Sequence, residues 1–420
     1  MASAPSEANL NEDWLSYRPA LELTLARCQP LAAETVDLTN SLGRVLAGAA
    51  ESRIDHPPWD NSAMDGFAVQ ERDVRGATPE SPQRLPVAEE VAAGAFPSGP
   101  LASGTAVRVM TGAPVPAGAT GVIRIEHTDG GQGGYVEIRR DSDAARNIRG
   151  QGEDIRRGQI LAAEGDEISA PLLGLLAMNG MQNVSVRRRP KIGVLSNGDE
   201  LADLDDFGEV LEGRKIMNSN MYAVAAQLRE FGADPVYLGI ARDTSESVTE
   251  KLRLAEGCDG VVSTAGVSVG DHDCIRDVLA ALGMERLFWR VRIRPGSPMT
   301  FGVLDGKPFW GLPGNPVSAM VTSELFVRPA IRKMLGCVSY ERSRRRVRLA
   351  ESIRSTPDLA QYYRVTLAES AGDELPVAHL TGPQGSGILS SMAAADGLLV
   401  VPEGIAEMSE GRVAEFLPLR

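Results

Sequence analysis

Residues 311–319 read Gly-Leu-Pro-Gly-Asn-Pro-Val-Ser-Ala, and this stretch decides the fold of the chain. The apolar run 308–310 before it predicts a strand, and the Pro-Gly pair predicts a tight turn. Asn315 is a good N-cap and Pro316 suits the first helical position, so a helix is expected to begin there. A helix N-terminus presents free N–H groups and a partial positive charge, which suit a phosphate or an oxyanion. The nonamer by itself is also compatible with an ordinary strand-to-helix connection.

The segment around this turn alternates buried strands with amphipathic helices. Gly232 is expected to end the first helix, and Thr244 or Ser245 to cap the second. Such alternation predicts a doubly wound parallel sheet that binds ligands at the carboxyl ends of its strands. The predicted strands are 191–195, 236–240, 260–264 and 308–310, and the predicted helices are 220–231, 245–254 and 275–282.

The rest of the chain shows different patterns of apolar, Gly and Pro residues. Residues 13–48 are predicted to be helical with a break at Pro30, whereas short Val/Ile runs between Gly and Pro from residue 49 to 150 predict β structure. The prediction is therefore a multidomain α/β plus β protein. Its parts are a discontinuous helical or mixed hinge domain (13–48 and 151–186), a β-rich insert (49–150), the α/β domain (187–337) and a C-terminal β-barrel-like domain (338–420).

Composition excludes several classes of protein. The chain has 420 residues, 43% of them hydrophobic, and a net charge of −13, which argues against nucleic acid as the main partner. The basic run 342–348 could bind an anion, but it also fits the exposed face of a strand. No apolar run approaches the roughly 20 residues of a membrane span, and the polar N-terminus lacks a signal-peptide core. Four scattered cysteines without a CxxC pair favour a cytoplasmic protein.

Six motifs make the chain similar to the molybdopterin molybdenumtransferase family, which comprises the MoeA proteins and the E domain of gephyrin. They occur in the family's order and extend through nearly the whole chain. The motifs are Asn61–Ala68, Val109–Ala113, Arg149–Asp154, Gly198–Leu201, Gly266–Gly270 and Gly311–Pro316.

The resemblance implies an enzyme that takes adenylylated molybdopterin and molybdate, inserts the metal at the dithiolene and releases AMP with the help of Mg²⁺. It also implies a homodimer whose active site is shared between subunits, with Asp65, Thr111, Arg149 and Asp154 facing the nucleotide site of the neighbouring subunit. Thr111, Arg149 and Asp154 are therefore nucleotide-binding candidates. The molybdopterin adenylyltransferase and cofactor-accepting apo-enzymes are possible partners.

The chemistry assigns roles to residues at the strand ends. Mg²⁺ prefers oxygen ligands, so Glu200, Asp243 and Asp273 are the metal-site candidates and also catalytic candidates. The resemblance adds Asp65 to the catalytic candidates. Each carboxylate taken singly also fits a solvated loop acid or a helix cap. The phosphates need backbone donors, which are expected from two turns. These nucleotide-binding candidates are Gly266, Ser268, Gly270, Pro313, Gly314, Asn315 and Pro316.

Molybdate is a dianion and needs cations or hydrogen-bond donors. The resemblance assigns this role to basic and serine positions, although a surface role for Arg290 is equally compatible with the sequence. The molybdate-binding candidates are Arg290, Arg294, Arg364, Ser390 and Ser391, with Ser386 in the same Ser-rich motif.

Three positions depart from the family pattern. Ala265 replaces a glycine and is expected to be tolerated only with a negative φ. Ser297 stands where Lys is common, and Asn197 where Thr is common. None of these changes removes a carboxylate, so they bear on anion affinity, or on molybdate against tungstate, more than on the reaction.

Two other functions remain open at this stage. The segment 190–337 also resembles domains that adenylylate molybdopterin, although the Asp65 and Asp154 motifs belong to the metal-inserting pattern. A non-catalytic dimeric scaffold, the second role of gephyrin's E domain, is the other alternative.

Overall fold

The computed structural model describes residues 14–265, 274–369 and 375–419. The chain divides into two compact units. Unit 1 comprises Met1–Gly48, Glu164–Ser169 and Asn183–Arg420, and unit 2 comprises Ala49–Ala163 and Ala170–Gln182. In the described part of the chain, no helix is long and apolar enough to cross a membrane.

The centre of unit 1 is a six-stranded sheet. The four strands predicted from apolar runs are all present, and they pair in parallel. The remaining two strands form an antiparallel edge, so the sheet is mixed where the sequence predicted a parallel one. In spatial order the strands are Asp234–Ala241, Lys191–Asn197, Gly260–Thr264, Lys307–Leu312, Thr300–Leu304 and Glu285–Phe288.

Helices cover both faces of this sheet, as the doubly wound prediction requires. Helices Ser219–Phe231, Pro316–Thr322 and Arg328–Met334 pack on one face around the buried side chain of Trp310. Helices Ser245–Arg253 and Cys274–Ala281 pack on the other face. A five-residue π-helix, 323–327, joins the two helices that follow the last strand.

Capping residues set the helix ends, at Gly232 and Thr244 as predicted and at Asn218 in addition. Asn218 accepts a hydrogen bond from the Met221 N–H at 3.4 Å and starts the helix Ser219–Phe231. Gly232 ends this helix with φ of +99°, a conformation that glycine adopts at little cost. Thr244, rather than Ser245, caps the next helix.

The N-terminal segment corrects the prediction of helix over 13–48. The helix Tyr17–Ala26 ends before Pro30, and the strand Ala33–Asp37 follows it. This strand pairs with Asn183–Arg187, about 150 residues away in sequence. The local pattern contained no sign of that partner, and pairing with it overrides the helical propensity of the segment.

The C-terminal strands close into a barrel. Ala360–Ala368 pairs with both end strands of a run of four and so completes a five-stranded ring. The short strand Ile293–Arg294 adds to its outside, opposite Ala360 and Gln361. This confirms the predicted barrel-like fold. The other four strands are Arg345–Leu349, Val377–Leu380, Gly397–Val401 and Val413–Pro418.

The basic run 342–348 is built into this barrel. Arg342 donates to the buried carboxylate of Glu324 at 2.8 Å, and Arg344 pairs with Glu415 at 2.5 Å. The strand Arg345–Leu349 then alternates exposed arginine with buried Val347. The run is therefore the outer face of a strand with paired flanking residues, the second of the two sequence interpretations.

Unit 2 is rich in β structure, as the insert was predicted to be. Its main sheet has five strands, and two short strand pairs and two helices complete the unit. The sheet contains Gly121–Arg124, Gly66–Val69, Ala106–Val109, Gln83–Val91 and Tyr135–Ile138. The pairs are Asn61–Ser62 with Ile148–Arg149 and Ala50–Glu51 with Ile160–Ala162, and the helices are Glu71–Val74 and Ala170–Met178.

A carboxylate fixes the amino ends of two central strands. Asp259 accepts two hydrogen bonds from the Arg188 guanidinium, at 2.7 and 2.6 Å, and a third from the Lys191 N–H at 2.8 Å. Burial opposes the charged form, but these hydrogen bonds outweigh it and lower the pKa of Asp259. The stability that this group contributes is therefore present above the unfolded pKa of about 4 and lost as pH falls through the folded pKa.

We predict that Asp259→Asn lowers the free energy of unfolding at pH 7 by about 1–2 kcal/mol, because charge-assisted hydrogen bonds are lost. The difference from wild type should narrow as pH falls from 7 toward about 3. Urea denaturation across this range measures both effects. Asp234→Asn is the control, since its 3.8 Å pair with Arg189 is largely exposed. A pH-independent difference for Asp259→Asn would contradict the assignment.

Candidate functional site

The turn 311–316 lies where the central sheet meets the helix Pro316–Thr322. Asn315 occupies the N-cap position and Pro316 the first helical position, as predicted. The Asn315 side chain makes no capping hydrogen bond, however, and it is exposed. The Asn220 amide donates to the Gly314 carbonyl at 2.7 Å and holds the turn against the neighbouring helix.

The helix N-terminus is less free than the sequence suggested. The Val317 N–H donates to the carbonyl of Ser386 at 3.0 Å, so the barrel uses one of the donors expected for an anion. Pro316 has no N–H to offer. The turn therefore provides fewer donors to a phosphate, and its more direct effect is to join the sheet to the barrel.

A cavity of about 450 Å³ opens at the carboxyl ends of the parallel strands, and we call it the sheet-edge cavity. This is where the topology predicts a ligand. Its lining includes the predicted residues Glu200, Pro313, Gly314, Asn315 and Pro316, together with Leu201, Ile216, Met217, Asn218, Ser219, Asn220, Thr264, Ala265 and Pro298.

Hydrogen bonds place the carboxylate of Asp243 beside the loop that carries Glu200. Asn197 Nδ2 donates to Asp243 Oδ1 at 2.6 Å, and the Asp199 N–H lies 3.4 Å from Oδ2. Arg242 Nη1 donates to the carbonyls of Gly198, Asp199 and Leu201 at 3.2–3.4 Å. The loop is thus fixed by a guanidinium that makes no contact with its carboxylates.

The position of Asn197 suits a hard cation nearby. Its side chain is 5% exposed, and its Oδ1 is buried with no hydrogen-bond partner in the described part of the chain. The amide must point Nδ2 at Asp243, because an ionised carboxylate only accepts. That leaves an unsatisfied oxygen beside a carboxylate, and these are the donors that Mg²⁺ prefers.

The metal-site prediction cannot be assembled completely. Asp273 lies outside the described residues, as do the nucleotide-binding candidates Gly266, Ser268 and Gly270. Among the residues that are described, no group of three or more His, Cys, Asp or Glu side chains could hold a metal ion. Glu200 and Asp243 are therefore the carboxylates of the predicted set with an observed position.

Ala265 corrects the expectation of a negative φ. It has φ of +67°, the left-handed region that an L-residue rarely adopts. The chain leaves the strand Gly260–Thr264 here, and the Ala265 N–H donates to the Leu312 carbonyl at 3.1 Å. The strand end therefore imposes a conformation suited to glycine, and the alanine carries a strain of roughly 1–2 kcal/mol.

A second cavity, of about 810 Å³, lies between the central domain and the barrel, and we call it the arginine cavity. It shares Pro298, Pro313 and Asn315 with the sheet-edge cavity, so the two cavities adjoin at the turn. Arg294, Arg354 and Arg364 all line it, as do Ser318 and Ser386. The structure thus brings Arg294 and Arg364 together across 70 residues of sequence.

Arg364 is a buried cation with no anionic partner among the residues that the structure describes. It is 1% exposed, and burial lowers the pKa of its guanidinium, with no nearby charge contributing. Its donors reach neutral oxygens, Ser391 Oγ at 3.1 Å and the Gly385 carbonyl at 3.0 Å. A buried guanidinium with only neutral partners favours the binding of an anion in the cavity it lines.

The other molybdate-binding candidates, Arg290, Ser390 and Ser391, do not line the arginine cavity. Arg290 stacks its guanidinium over the Trp14 ring, 5.2 Å from the centroid, and it does not line the arginine cavity. Ser391 bonds Arg364, and Ser390 is exposed beside it on a short helix. Ser391 therefore positions the guanidinium, while Arg290 belongs to a surface contact.

Unit 2 holds the remaining candidates. Asp65 accepts hydrogen bonds from the Thr111 N–H and Oγ1 at 2.7 and 2.8 Å, and these bonds lower its pKa. Arg149 pairs its backbone with Asn61 and has an exposed side chain. Asp154 is also exposed, and its N–H donates to the His56 carbonyl at 3.0 Å. Asp65 and Thr111 thus form one fixed polar pair on the surface of unit 2.

Sequence reasoning missed Arg242, Asn220 and Arg354. Arg242 directly precedes Asp243 at a strand end, a position that could have identified it. Asn220 bonds Gly314, which lies 94 positions away in sequence, and Arg354 reaches the arginine cavity from the barrel. The local sequence around these two residues gives no sign of either contact.

Three family models match the chain end to end. Residues 15–180 match the MoeA N-terminal region (domain I and II), 193–333 a probable molybdopterin binding domain, and 346–419 the MoeA C-terminal region (domain IV). The three matches follow one another along the chain without overlap.

Individual relatives are similar over almost their full length. Molybdopterin molybdenumtransferase 2 of Mycobacterium tuberculosis is 37% identical over 91% of this chain and 94% of the relative. The molybdopterin molybdenumtransferase of Bacillus subtilis is 33% identical over 92% and 90%. A crystal structure of the molybdopterin biosynthesis MoeA protein from Pyrococcus horikoshii superposes with a TM-score of 0.83 at 28% identity, covering 97% of this chain and all of that one.

We predict that Ala265→Gly stabilises the protein by up to about 1 kcal/mol. It relieves the left-handed strain, which exceeds the added entropy of the unfolded chain. Urea denaturation measures the change. The control is Ala241→Gly, at a buried strand end without positive φ, which should destabilise. Equal destabilisation by both substitutions would contradict the strain.

Proposed function

This chain belongs to the MoeA family of molybdopterin molybdenumtransferases, and we propose that it inserts molybdate into adenylylated molybdopterin in an Mg²⁺-dependent reaction that releases AMP. Molybdenum cofactor biosynthesis by a transferase is common to the curated relatives. The use of Mg²⁺, the identity of the two substrates and the dimeric assembly are our own proposal.

The observation that carries the proposal is the unpaired guanidinium of Arg364 in the arginine cavity. Molybdate is a small dianion, and it would supply the negative charge that Arg364 lacks. Arg294 lines the same cavity and adds a second cation. Because Arg is planar and donates from several N–H groups, two such residues suit the oxygens of a tetrahedral oxyanion.

The sheet-edge cavity suits the nucleotide part of the substrate. It adjoins the arginine cavity at Pro313 and Asn315, so a ligand that spans both would place its phosphate linkage at this turn. We assign the adenylyl group to the sheet-edge side and the metal-accepting dithiolene to the arginine side. This arrangement brings molybdate to the sulfurs and the phosphoanhydride to the strand ends.

The chain's own residues prepare the cleavage of that phosphoanhydride. Asn197 holds the Asp243 carboxylate, and Arg242 holds the loop of Glu200, so both acids keep their positions without rearrangement. Together with Asn197 Oδ1 they would hold Mg²⁺, which when bound neutralises charge on the phosphate oxygens. Cleavage of the P–O–P linkage consumes one water, whose oxygen joins the phosphate that loses the bridging oxygen, so that AMP leaves with the adenylyl phosphate and the pterin keeps its own. The molybdate oxygens that the dithiolene sulfurs replace leave as water.

We further propose a homodimer with the shared site that the resemblance implies. The exposed Asp65–Thr111 pair would face the neighbouring subunit. The cytoplasm is the proposed location, because all four cysteines are free thiols. The adenylyltransferase that supplies the substrate and the apo-enzymes that receive the cofactor are the proposed transient partners.

The decisive experiment supplies adenylylated molybdopterin, Mg²⁺ and molybdate, and follows AMP release and the reconstitution of an apo-molybdoenzyme. Release of AMP with reconstitution supports the proposal. A protein that instead converts ATP and molybdopterin to pyrophosphate would be the adenylyltransferase, and one that does neither while dimerising would be a scaffold.

We predict that Asp243→Asn slows AMP release by about 100- to 1000-fold without unfolding the protein. The magnitude follows from several kcal/mol of lost charge stabilisation at the scissile linkage. Asp234→Asn is the matched control, because Asp234 begins the same strand at the opposite edge of the sheet. Near wild-type rates for Asp243→Asn at limiting Mg²⁺ would remove this residue from the site.

We also predict that two inactive variants complement each other. In a mixture of Asp65→Asn and Asp243→Asn proteins, a heterodimer would contain one site with both aspartates intact. After subunit exchange verified by mass spectrometry, about half of the molecules should be heterodimers and AMP release should recover accordingly. Absence of recovery would mean that each active site lies within one subunit.

A further inference from the structure

The arginine cavity lacks the cation that the family commonly places at position 297. Ser297 lines this cavity, but its hydroxyl donates to the Ile293 carbonyl and is committed to the backbone. It therefore offers neither a charge nor its proton to an anion. On this side of the cavity, the positive charge comes from Arg294, three residues before Ser297.

The barrel contributes another arginine to the same cavity. Arg354 lines it from the short strand Ile353–Arg354, which pairs with Glu407–Met408. Glu407 is the strand partner of Arg354, yet none of the described carboxylates comes within ion-pair distance of the Arg354 guanidinium, in contrast to Arg342 and Arg344 nearby. Its charge is therefore available to a ligand.

The backbone that carries Arg354 is fixed on both sides. Tyr363 Oη donates to the Arg354 carbonyl at 2.9 Å, and the Ser355 N–H donates to the Ala406 carbonyl at 2.8 Å. Tyr363 is itself a lining residue and lies next to Arg364 in sequence. The fixed backbone holds Arg354 at the cavity wall, so that only its side chain has to be ordered when an anion binds.

We propose that Arg354 is a substrate-binding residue that supplies the third positive charge of the arginine cavity, in place of the lysine that is absent at position 297. The inference rests on the proposed function, since the anion is molybdate. Arg294, Arg354 and Arg364 then surround the dianion from three different strands, Ile293–Arg294, Ile353–Arg354 and Ala360–Ala368. Only Arg364 is buried, so Arg354 tunes the affinity without holding the fold.

The test measures direct binding of molybdate by calorimetry, with the full-length protein and without the pterin. Arg354→Gln should weaken binding about tenfold, the lower end expected for a lost charge-assisted hydrogen bond at an exposed residue. Arg348→Gln is the matched control, because Arg348 is exposed on the same barrel, donates to the Gly411 carbonyl and does not line the cavity.

A second substitution makes the test specific. Ser297→Lys should restore most of the molybdate affinity in the Arg354→Gln background, because it returns a cation to the family position. Unchanged binding in Arg354→Gln, or failure of Ser297→Lys to rescue it, would overturn the proposal. So would an equal loss of affinity for adenylylated molybdopterin, which would place Arg354 on the pterin or its phosphate.

The binding assay separates this inference from the proposed function. If wild type binds molybdate and Arg354→Gln binds it tenfold less tightly, the inference stands even where AMP release is absent and the proposed reaction fails. If wild type binds neither molybdate nor tungstate, the arginine cavity is not an oxyanion site and both proposals are overturned.

Discussion

The turn 311–316 is the constraint on which the site depends. It ends the sheet strand Lys307–Leu312 and begins a helix. The Asn220 side chain holds it, and the first N–H of the helix, that of Val317, donates to the Ser386 carbonyl in the barrel. Because the turn lines both cavities, any shift in it would change both at once. Two prolines restrict its backbone, so it is rigid at the point where the two cavities meet. A reaction that needs a nucleotide and an oxyanion in fixed relation requires such a boundary.

The second requirement is electrostatic. Burying Arg364 without a carboxylate costs free energy that its neutral partners, Ser391 and Gly385, recover only in part. A carboxylate partner would have removed that cost, but it would also have repelled molybdate. The fold therefore keeps a cation desolvated and unpaired, and a ligand anion gains from an interaction that water screens only weakly. The same reasoning explains why Asp243 is held by the neutral amide of Asn197 and Arg242 contacts only carbonyls.

Local sequence patterns predicted most of the fold but few of the side-chain contacts within the site. Buried apolar runs such as Gly260–Thr264 identified the parallel strands, because a strand covered on both faces has few polar residues. The strand Ala33–Asp37 was missed because its partner is remote, and the antiparallel edge because strand direction leaves no mark in a short run. The strand-end rule located Glu200 and Asp243 correctly at one sheet edge. Burial of Arg364 could not be predicted, because it depends on the barrel closing around it.

The three departures from the family pattern are accommodated in different ways. Asn197 replaces a hydroxyl with an amide that still donates to Asp243 and adds an acceptor oxygen. Ala265 adopts a left-handed backbone conformation that suits glycine, and its N–H donates to the Leu312 carbonyl. Ser297 is neutral where the family commonly has lysine, and Arg354 brings a positive charge to the same cavity from another domain. In each case the position of the backbone or of a charge is retained while the residue changes.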